Sequence, residues 1–417
     1  MNLKIIFYFI LFYNCTFHSL AIEINSIQFE GLTKTKESYL RALIRSKEHE
    51  QYDSIVIKKD LFLIKSLNLF FSVDLEVKQV EDSINIVFII REAKYLYPIF
   101  SISGFDNQLK LNVGFNQINF LGRAQNFGVI YQYYDRHSLS VFHSQKHHKN
   151  SRTGHSAYLS KYSTIEPLYF TDTVSSFNFD NYSISSELMY WFNNFIHASV
   201  GGKYMHEEYE QRDDVIDFYM AKFQFEKILV QANVEYNSII QEEEITTGSK
   251  VRIYGENIVT QNHPEASFMK FSSQVSTYKR FRHDINIAFN TQFSIATNNE
   301  SPFSPFVLDG FTNVRGVGNR IERGTAEWIV NLEYRQTLLK NTFFALQGVL
   351  FTDYGTLRQP GAKLNTFFNK PATSIFVGSG LRVHLKKWYR TNLRIDYSFN
   401  PTDLKMNGFT FGFGQFF

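Results

Sequence analysis

The chain has 417 residues, of which 44 % are hydrophobic and 20 % charged, with a net charge of +3. That balance excludes a polybasic nucleic-acid or membrane-surface footprint, and a single cysteine, Cys15, excludes a disulfide framework. Aromatic residues dominate at 17 %, with 43 Phe and 24 Tyr, beside a mean hydropathy of −0.24.

The N-terminus reads as a secretory signal peptide over residues 1–21. Lys4 gives a positive start, Ile5 to Tyr13 an apolar stretch, and Ser19-Leu20-Ala21 a small-x-small cleavage site. Cleavage after Ala21 removes Cys15 and with it thiol catalysis and cysteine metal sites. No later apolar run approaches the ~20 residues of a membrane helix. An exported, aromatic-rich chain without such a helix points to a transmembrane β-barrel, whose strands are mild in hydropathy; a large secreted β-protein is the competing class.

Residues 22–97 predict a small α+β domain of β-α-α-β-β order. "IEINSIQFEG" is a strand, and Thr33 or Thr35 is placed to cap a helix through Leu40 and Leu43. Ile57, Leu61, Ile64 and Leu67 share one helical face. "FFSVDLEVKQV" and "INIVFIIRE" follow as strands about a turn at Glu81-Asp82.

From residue 98 to 417 helical periodicity gives way to alternation. "QLKLNVGFN" sets Leu109, Leu111, Val113 and Phe115 against Lys110, Asn112 and Gly114. "GLRVHLK" places Arg382 and His384 opposite Leu381 and Val383, and "NLRIDYSFN" places Arg394 and Asp396 opposite Leu393 and Ile395. A charged face alternating with an apolar one suits a barrel with lipid outside and water within. Five strands are read at 325–336, 342–354, 373–386, 389–399 and 406–417, about 19 residues each; that spacing leaves room for about eleven more before residue 304, or about sixteen antiparallel strands in all. An even count returns both ends to one side. "QTLLKNT" and "KKWYR" are expected as turns there, and 355–372 as a loop on the other.

"IQFEGL" (27–32), "NLFFSV" (68–73), "NFLGRAQN" (119–126) and Val314-Arg315-Gly316 within "DGFTNVRGVGNR" together make the sequence resemble the BamA/TamA outer-membrane assembly superfamily, bacterial surface antigens with a POTRA domain before a barrel. Asn68 stands where the family has glycine, and Val317 where it has an aromatic residue. The resemblance implies a single periplasmic POTRA domain, a sixteen-stranded outer-membrane barrel and an inward-folded loop near 301–324. It further implies that Arg315 meets two inner-wall carboxylates, for which Glu333 and Asp353 stand at the matching positions. Strand parity agrees, since Trp328, Val330, Leu332 and Tyr334 share the face opposite Glu333, and Gln347 and Asp353 lie opposite Leu346 and Leu350. Val314, Arg315, Gly316, Glu333 and Asp353 are thus a candidate loop latch.

A candidate lateral seam follows from the last strand, "GFTFGFGQFF". Gly408, Gly412 and Gly414 lower its packing, and terminal Phe417 resembles an outer-membrane β-signal. Its expected partner is 108–118, with Leu109, Leu111, Val113 and Gly114. The implied function is insertion and assembly of outer-membrane proteins by seam opening and strand templating. A two-partner-type translocator for one exported protein, and a non-catalytic scaffold in a larger complex, remain open. Expected partners are outer-membrane lipids, nascent outer-membrane or exported proteins, and periplasmic accessory proteins on the POTRA domain, with no nucleic acid. No enzyme, cofactor or metal site is expected. Ser379 in "VGSGL" lies in a strand rather than a nucleophile elbow, His143, His147 and His148 lack a nearby acid, and Glu242-Glu243-Glu244 reads as loop charge.

Overall fold

The computed structural model describes residues 22–103, 109–148, 152–169, 174–212, 222–242, 244–282, 284–301, 303–318, 322–368, 373–385 and 392–417. The expected signal peptide, the expected turn at 386–390 and residues 319–320 of the loop motif lie outside them. Among the described residues no helix is long and apolar enough to cross a membrane.

The N-terminal domain runs β1 (Glu23–Glu30), α1 (Glu37–Leu43), α2 (Ser54–Ser66), β2 (Phe70–Val80), β3 (Ser83–Glu92), in the order expected. Its sheet is ordered β1-β3-β2, with β1 parallel and β2 antiparallel to β3. Asp53 caps α2 by accepting from the Ile55 and Val56 amides. Ile57 and Ile64 on α2 then pack with Leu40, Ile86 and Phe88 in one core. Asn68 holds φ at +58° between α2 and β2, the left-handed conformation its family counterpart glycine supplies.

One expectation fails at α1. Lys36, not a threonine, occupies its N-cap, and no side chain caps it. Thr33 and Thr35 serve Glu92 instead: its carboxylate accepts from Thr33 Oγ1 at 2.5 Å and from the amides of Lys34 and Thr35 at 2.9 and 2.8 Å.

The remaining strands close into a barrel. They are β4 (Leu96–Ser103), β5 (Lys110–Phe120), β6 (Gln125–Tyr134), β7 (Arg136–Gln145), β8 (Thr153–Tyr169), β9 (Val174–Trp191), β10 (Ile196–Gln211) and β11 (Lys222–Asn237). After short β12 (Ile240–Glu242) come β13 (Ile245–Thr260), β14 (Phe268–Arg282) and β15 (Ile285–Ala296). Short β16 (Phe306–Leu308) and β17 (Glu322–Gly324) pair with each other inside the loop that follows. Then come β18 (Ala326–Lys340), β19 (Phe344–Arg358), β20 (Thr373–Leu385), β21 (Asn392–Asn400) and β22 (Asp403–Phe413). Leaving the three short strands aside, sixteen antiparallel strands surround the lumen. Parity sets the two faces. Leu332, Leu350, Leu381 and Ile395 are exposed outward, while Glu333, Gln347, Asp353, Arg382 and Asp396 are buried within. Strands β18 and β19 run longer than expected, so the turn falls at 341–343 rather than within "QTLLK".

The small domain docks across one mouth of the barrel through the turns between strands. Thr35 Oγ1 accepts from Asn119 Nδ2 at 2.9 Å, and the Lys36 amide donates to Gly122 O at 2.9 Å. Tyr39 donates to His147 O, Lys59 O accepts from Asn194, Phe62 packs on Phe195 at 4.4 Å, and Lys65 pairs with Glu242. Glu92 thus orders the segment that carries this joint. Partial burial opposes its charge, but the hydrogen bonds from Thr33, Thr35 and Lys34 prevail and hold its pKa below the ordinary carboxylate value.

A depressed folded-state pKa contributes stability that is present above the unfolded value of about 4.3 and is lost as pH falls through the folded one. Glu92→Gln at neutral pH, and acidification of the unaltered protein, are therefore expected to lower hydrogen-exchange protection, relative to the intrinsic rate at each pH, at residues 33–39 and 119–124 together. Exchange that rises at 33–39 alone would show that Glu92 does not support the joint.

Candidate functional site

The loop between β15 and β18 enters the lumen because much of it is apolar. Phe306, Leu308, Val314 and Val317 bury against Ile329, Leu357 and Phe376 of the wall. Val317, in the place of the family's aromatic residue, is 4 % exposed within this cluster. Gly355 on β19 makes room: a Cβ there would stand 2.6 Å from Val314. Gly316 has φ +87°, and its Cβ would lie 2.5 Å from Ser398 Oγ and 2.7 Å from the Phe376 ring. Only glycine suits both the conformation and the space.

These contacts aim Arg315 at the inner wall. Its guanidinium forks onto Asp353, with Nε to Oδ2 at 2.7 Å and Nη2 to Oδ1 at 2.9 Å, while Nη1 donates to Glu333 Oε1 at 2.5 Å. Its backbone amide also donates to Asp353, at 3.0 Å. The cation stacks on two rings, 3.5 Å from the centroid of Phe351 and 4.1 Å from that of Phe416. Arg315, Glu333 and Asp353 are all at 0 % exposure. The structure thus brings the three sequence-selected charges together with Val314 and Gly316 beside them.

The site is larger than the sequence indicated. Arg335 Nε donates to Glu333 Oε2 at 2.6 Å, and Arg382 forks onto Asp396 at 2.7 and 3.1 Å. Asp396 Oδ2 lies 3.6 Å from Arg315 and 3.7 Å from Arg394. Four arginines therefore share three carboxylates. Parity had put Arg382, Arg394 and Asp396 on the inner face, and Arg335 shares the face of Glu333 two residues before it; what parity lacked was which inner residues stand at the same height around the wall. Phe416 was unforeseeable by parity because it lies beyond the strand.

The seam differs from expectation. Strand β22 pairs with β4, not with 108–118, through Thr410–Ser103, Phe411–Ile102 and Gly412–Ser101. β4 was passed over because "LYPIFSIS" is apolar on alternate faces without charge and carries Pro98, which donates no ladder hydrogen bond and belongs on an edge. Leu111 and Val113 lie one strand inward on β5, and Leu109 precedes that strand. Gly114 serves the β5–β6 contact, where a Cβ would be 2.2 Å from Val129 O. Gly408 and Gly412 remain on β22, and a Cβ on Gly412 would approach Ser101 Cβ to 3.2 Å. The last strand ends at Phe413 rather than Phe417. Gly414 turns at φ +91°, and the tail carries Gln415 to Arg382, Phe416 to Arg315 and Phe417 to within 5.6 Å of Arg335.

Away from this site, Ser379 lies within β20. His143, His155 and His148 form a hydrogen-bonded row with N···N distances of 3.1 and 2.6 Å, and His147 stacks separately on Trp191. Among the described residues no group of His, Cys, Asp or Glu is arranged to hold a metal ion.

Comparison with known proteins agrees with this architecture. The Omp85 superfamily domain matches residues 119–417, and a POTRA domain, described as a surface antigen variable number repeat, matches residues 22–93. The chain belongs to the Omp85 superfamily, and is an outer-membrane barrel whose POTRA domain lies on the periplasmic side. Its fold is similar to that of BamA from Haemophilus ducreyi lacking POTRA domains 1–3, at 15 % identity and TM-score 0.58, over 94 % of this chain and 84 % of that one. It is similar also to CdiB from Acinetobacter baumannii, at 13 % identity and TM-score 0.63 over 95 % and 74 %, and to CdiB from Escherichia coli, at 12 % and 0.64 over 95 % and 77 %. No curated protein sequence matches significantly.

Removing one partner from a buried ion cluster costs about 3–5 kcal/mol because the remaining charges stay desolvated. Arg315→Ala is expected to lower the temperature of the heat-induced gel-mobility shift of the folded barrel. Arg315→Lys should recover little of it, because an ammonium cannot form the two-pronged contact with Asp353. A mobility shift unchanged in Arg315→Ala would show that the cluster does not stabilise the barrel.

Proposed function

We propose that this protein assists the insertion and assembly of outer-membrane proteins by opening the β22–β4 seam and templating client strands on the freed edge. The observation that carries this reading is the seam itself. Among the described residues the β22–β4 ladder stops at Gly412–Ser101 toward the start of β4, whereas β8 and β9 pair continuously from Thr153–Tyr190 to Tyr169–Val174. Where the tail turns inward at Gly414, β4 from Leu96 to Phe100 is left without β22 beside it, and Pro98 in that stretch has no N–H to donate. A sheet edge in this state accepts an incoming extended strand through main-chain hydrogen bonds.

The approach from the periplasm supports the same reading. β2 is an edge strand of the POTRA sheet. Between its start, Phe70–Asp74, and the barrel rim at Ile240–Glu242, Arg280 and Lys340 lies a cavity of about 480 Å³. Nascent outer-membrane proteins would pass here, accessory proteins would add to the β2 edge, and lipid would meet the opened seam. The mechanism uses no bond-making chemistry or cofactor.

A second reading, passage of a dedicated exported protein through the lumen, draws on a lumen cavity of about 520 Å³ whose lining mixes Ser101, Ser138, Ser160 and Lys203 with Ile99 and Phe311. A scaffold role in a larger complex would need neither cavity nor seam.

Quantitative outer-membrane proteomics after depletion separates the three. Broad loss of barrel proteins at normal synthesis is expected; loss of one exported protein would replace this reading with the second, and no loss would leave the scaffold. In parallel, Ser101→Cys with Gly412→Cys should lock the seam under oxidising conditions and abolish activity until reductant is added. Full activity of the locked form would refute seam opening.

A further inference from the structure

Beyond the arginine cluster, the loop has a second charged fastening, on the opposite side of the seam. Lys110 Nζ, at the start of β5, lies 3.1 Å from Asp309 Oδ2, with side-chain exposures of 7 % and 2 %. We propose that Lys110 and Asp309 are positioning residues for the seam: with Arg315 at the other end they make residues 309–315 a strap that holds the seam shut from inside.

The segment between the two fastenings is stiff. Asp309 Oδ1 accepts from the amides of Phe311 and Thr312 at 2.9 and 3.2 Å, and its main-chain oxygen accepts from Asn313 and Val314 at 3.1 and 3.2 Å. Asn313 Oδ1 returns a bond to the Asp309 amide at 2.9 Å, and Asn331 on β18 donates to Asn313 O at 2.9 Å. One carboxylate thus closes the turn with one oxygen and grips Lys110 with the other. Displacement at Lys110 is transmitted to Arg315 rather than absorbed between them.

The strap crosses the seam itself. The Phe311 ring lies 5.8 Å from Lys110 Nζ on one side and 5.6 Å from Arg394 Cζ on the other, and a Cβ on Gly412 would meet it at 3.7 Å. On the N-terminal side the loop holds β5, which pairs with β4 along its length. On the C-terminal side it holds β18 and β19 through Glu333 and Asp353 and approaches Asp396 on β21. The backbone pairing of Ser101–Ser103 with Thr410–Gly412 is therefore reinforced by buried ionic contacts behind the wall.

The two ends are chemically unequal. Arg315 is fixed by a planar fork to Asp353 and a further bond to Glu333, whereas Lys110 is a point charge on a flexible stem with one carboxylate contact. A single ammonium contact has fewer bonds to break than that fork. The Lys110 end releases first, leaving the loop on the β18–β19 wall while β4 and β5 swing away.

The inference rests on the seam-opening reading, but its test measures the seam and not activity. In full-length protein carrying Ser101→Cys and Gly412→Cys in lipid nanodiscs, disulfide formation under a fixed mild oxidant reports how often the seam is closed. The two Cβ positions, 3.2 Å apart before adjustment, are within a few tenths of an ångström of disulfide spacing. Lys110→Met and Asp309→Asn should each slow cross-linking several-fold, and the double variant should slow it no more than either alone. Asp309→Asn, which keeps an oxygen for the turn, covers the case in which Lys110→Met does not fold. Unchanged cross-linking in folded single variants, or losses that multiply in the double variant, would overturn the strap. Full insertion activity of the cross-linked protein would instead refute the functional reading and leave the strap in place.

Discussion

A guanidinium without water must be surrounded by charge and by polarisable surface, and the lumen of this barrel is organised around that requirement at Arg315. Desolvating a single ion costs several kcal/mol, recovered only where partner geometry is good. Here the fork to Asp353, the bond to Glu333 and the rings of Phe351 and Phe416 supply it. The four partners come from three elements: Glu333 from β18, Phe351 and Asp353 from β19, and Phe416 from the tail beyond β22. The cluster therefore forms only when wall, loop and C-terminus are all in register. Arg335, Arg382 and Arg394 widen the same condition to β20 and β21.

Much of this was legible in the sequence because a barrel has a rigid period of two. Glu333 and Asp353 could be placed inward from Leu332 and Leu350 alone, and Val314-Arg315-Gly316 marked the loop expected to meet them. The POTRA order followed from Ile57, Ile64 and Leu67 at helical spacing. What stayed hidden depends on conformations that alternation does not encode. Pro98 disguised β4, since a strand apolar on alternate faces without charge gives no parity, and the seam was placed one strand too far along. The inward turn of the tail hangs on φ at Gly414, and "GFTFGFGQFF" reads equally well as an unbroken strand. Thr33 and Thr35 satisfied a capping rule locally, but a carboxylate 57 to 59 residues later competed for them and won.

Order is graded around the barrel wall. Along β8 and β9 backbone pairing is continuous, and the barrel there is held by its ladder. Between β22 and the start of β4 the ladder stops at Gly412–Ser101, and side chains from the loop and tail take over. On the periplasmic side the POTRA domain adds hydrogen bonds to the turns after β5, β7 and β9, so its joint reaches from the strand next to the seam to the continuously paired wall.

The inward-turned C-terminus constrains how the chain can be made. Phe416 stacks on a guanidinium that belongs to a loop 101 residues earlier, and Phe417 approaches Tyr278 of β14. These rings have no binding surface until the loop occupies the lumen and β18 and β19 present their carboxylates. The packing of Phe416 and Phe417 therefore depends on the loop being seated in the lumen. Any extension fused after Phe417 would have to be housed among buried arginines or threaded out of the lumen, so a purification handle belongs elsewhere on this protein.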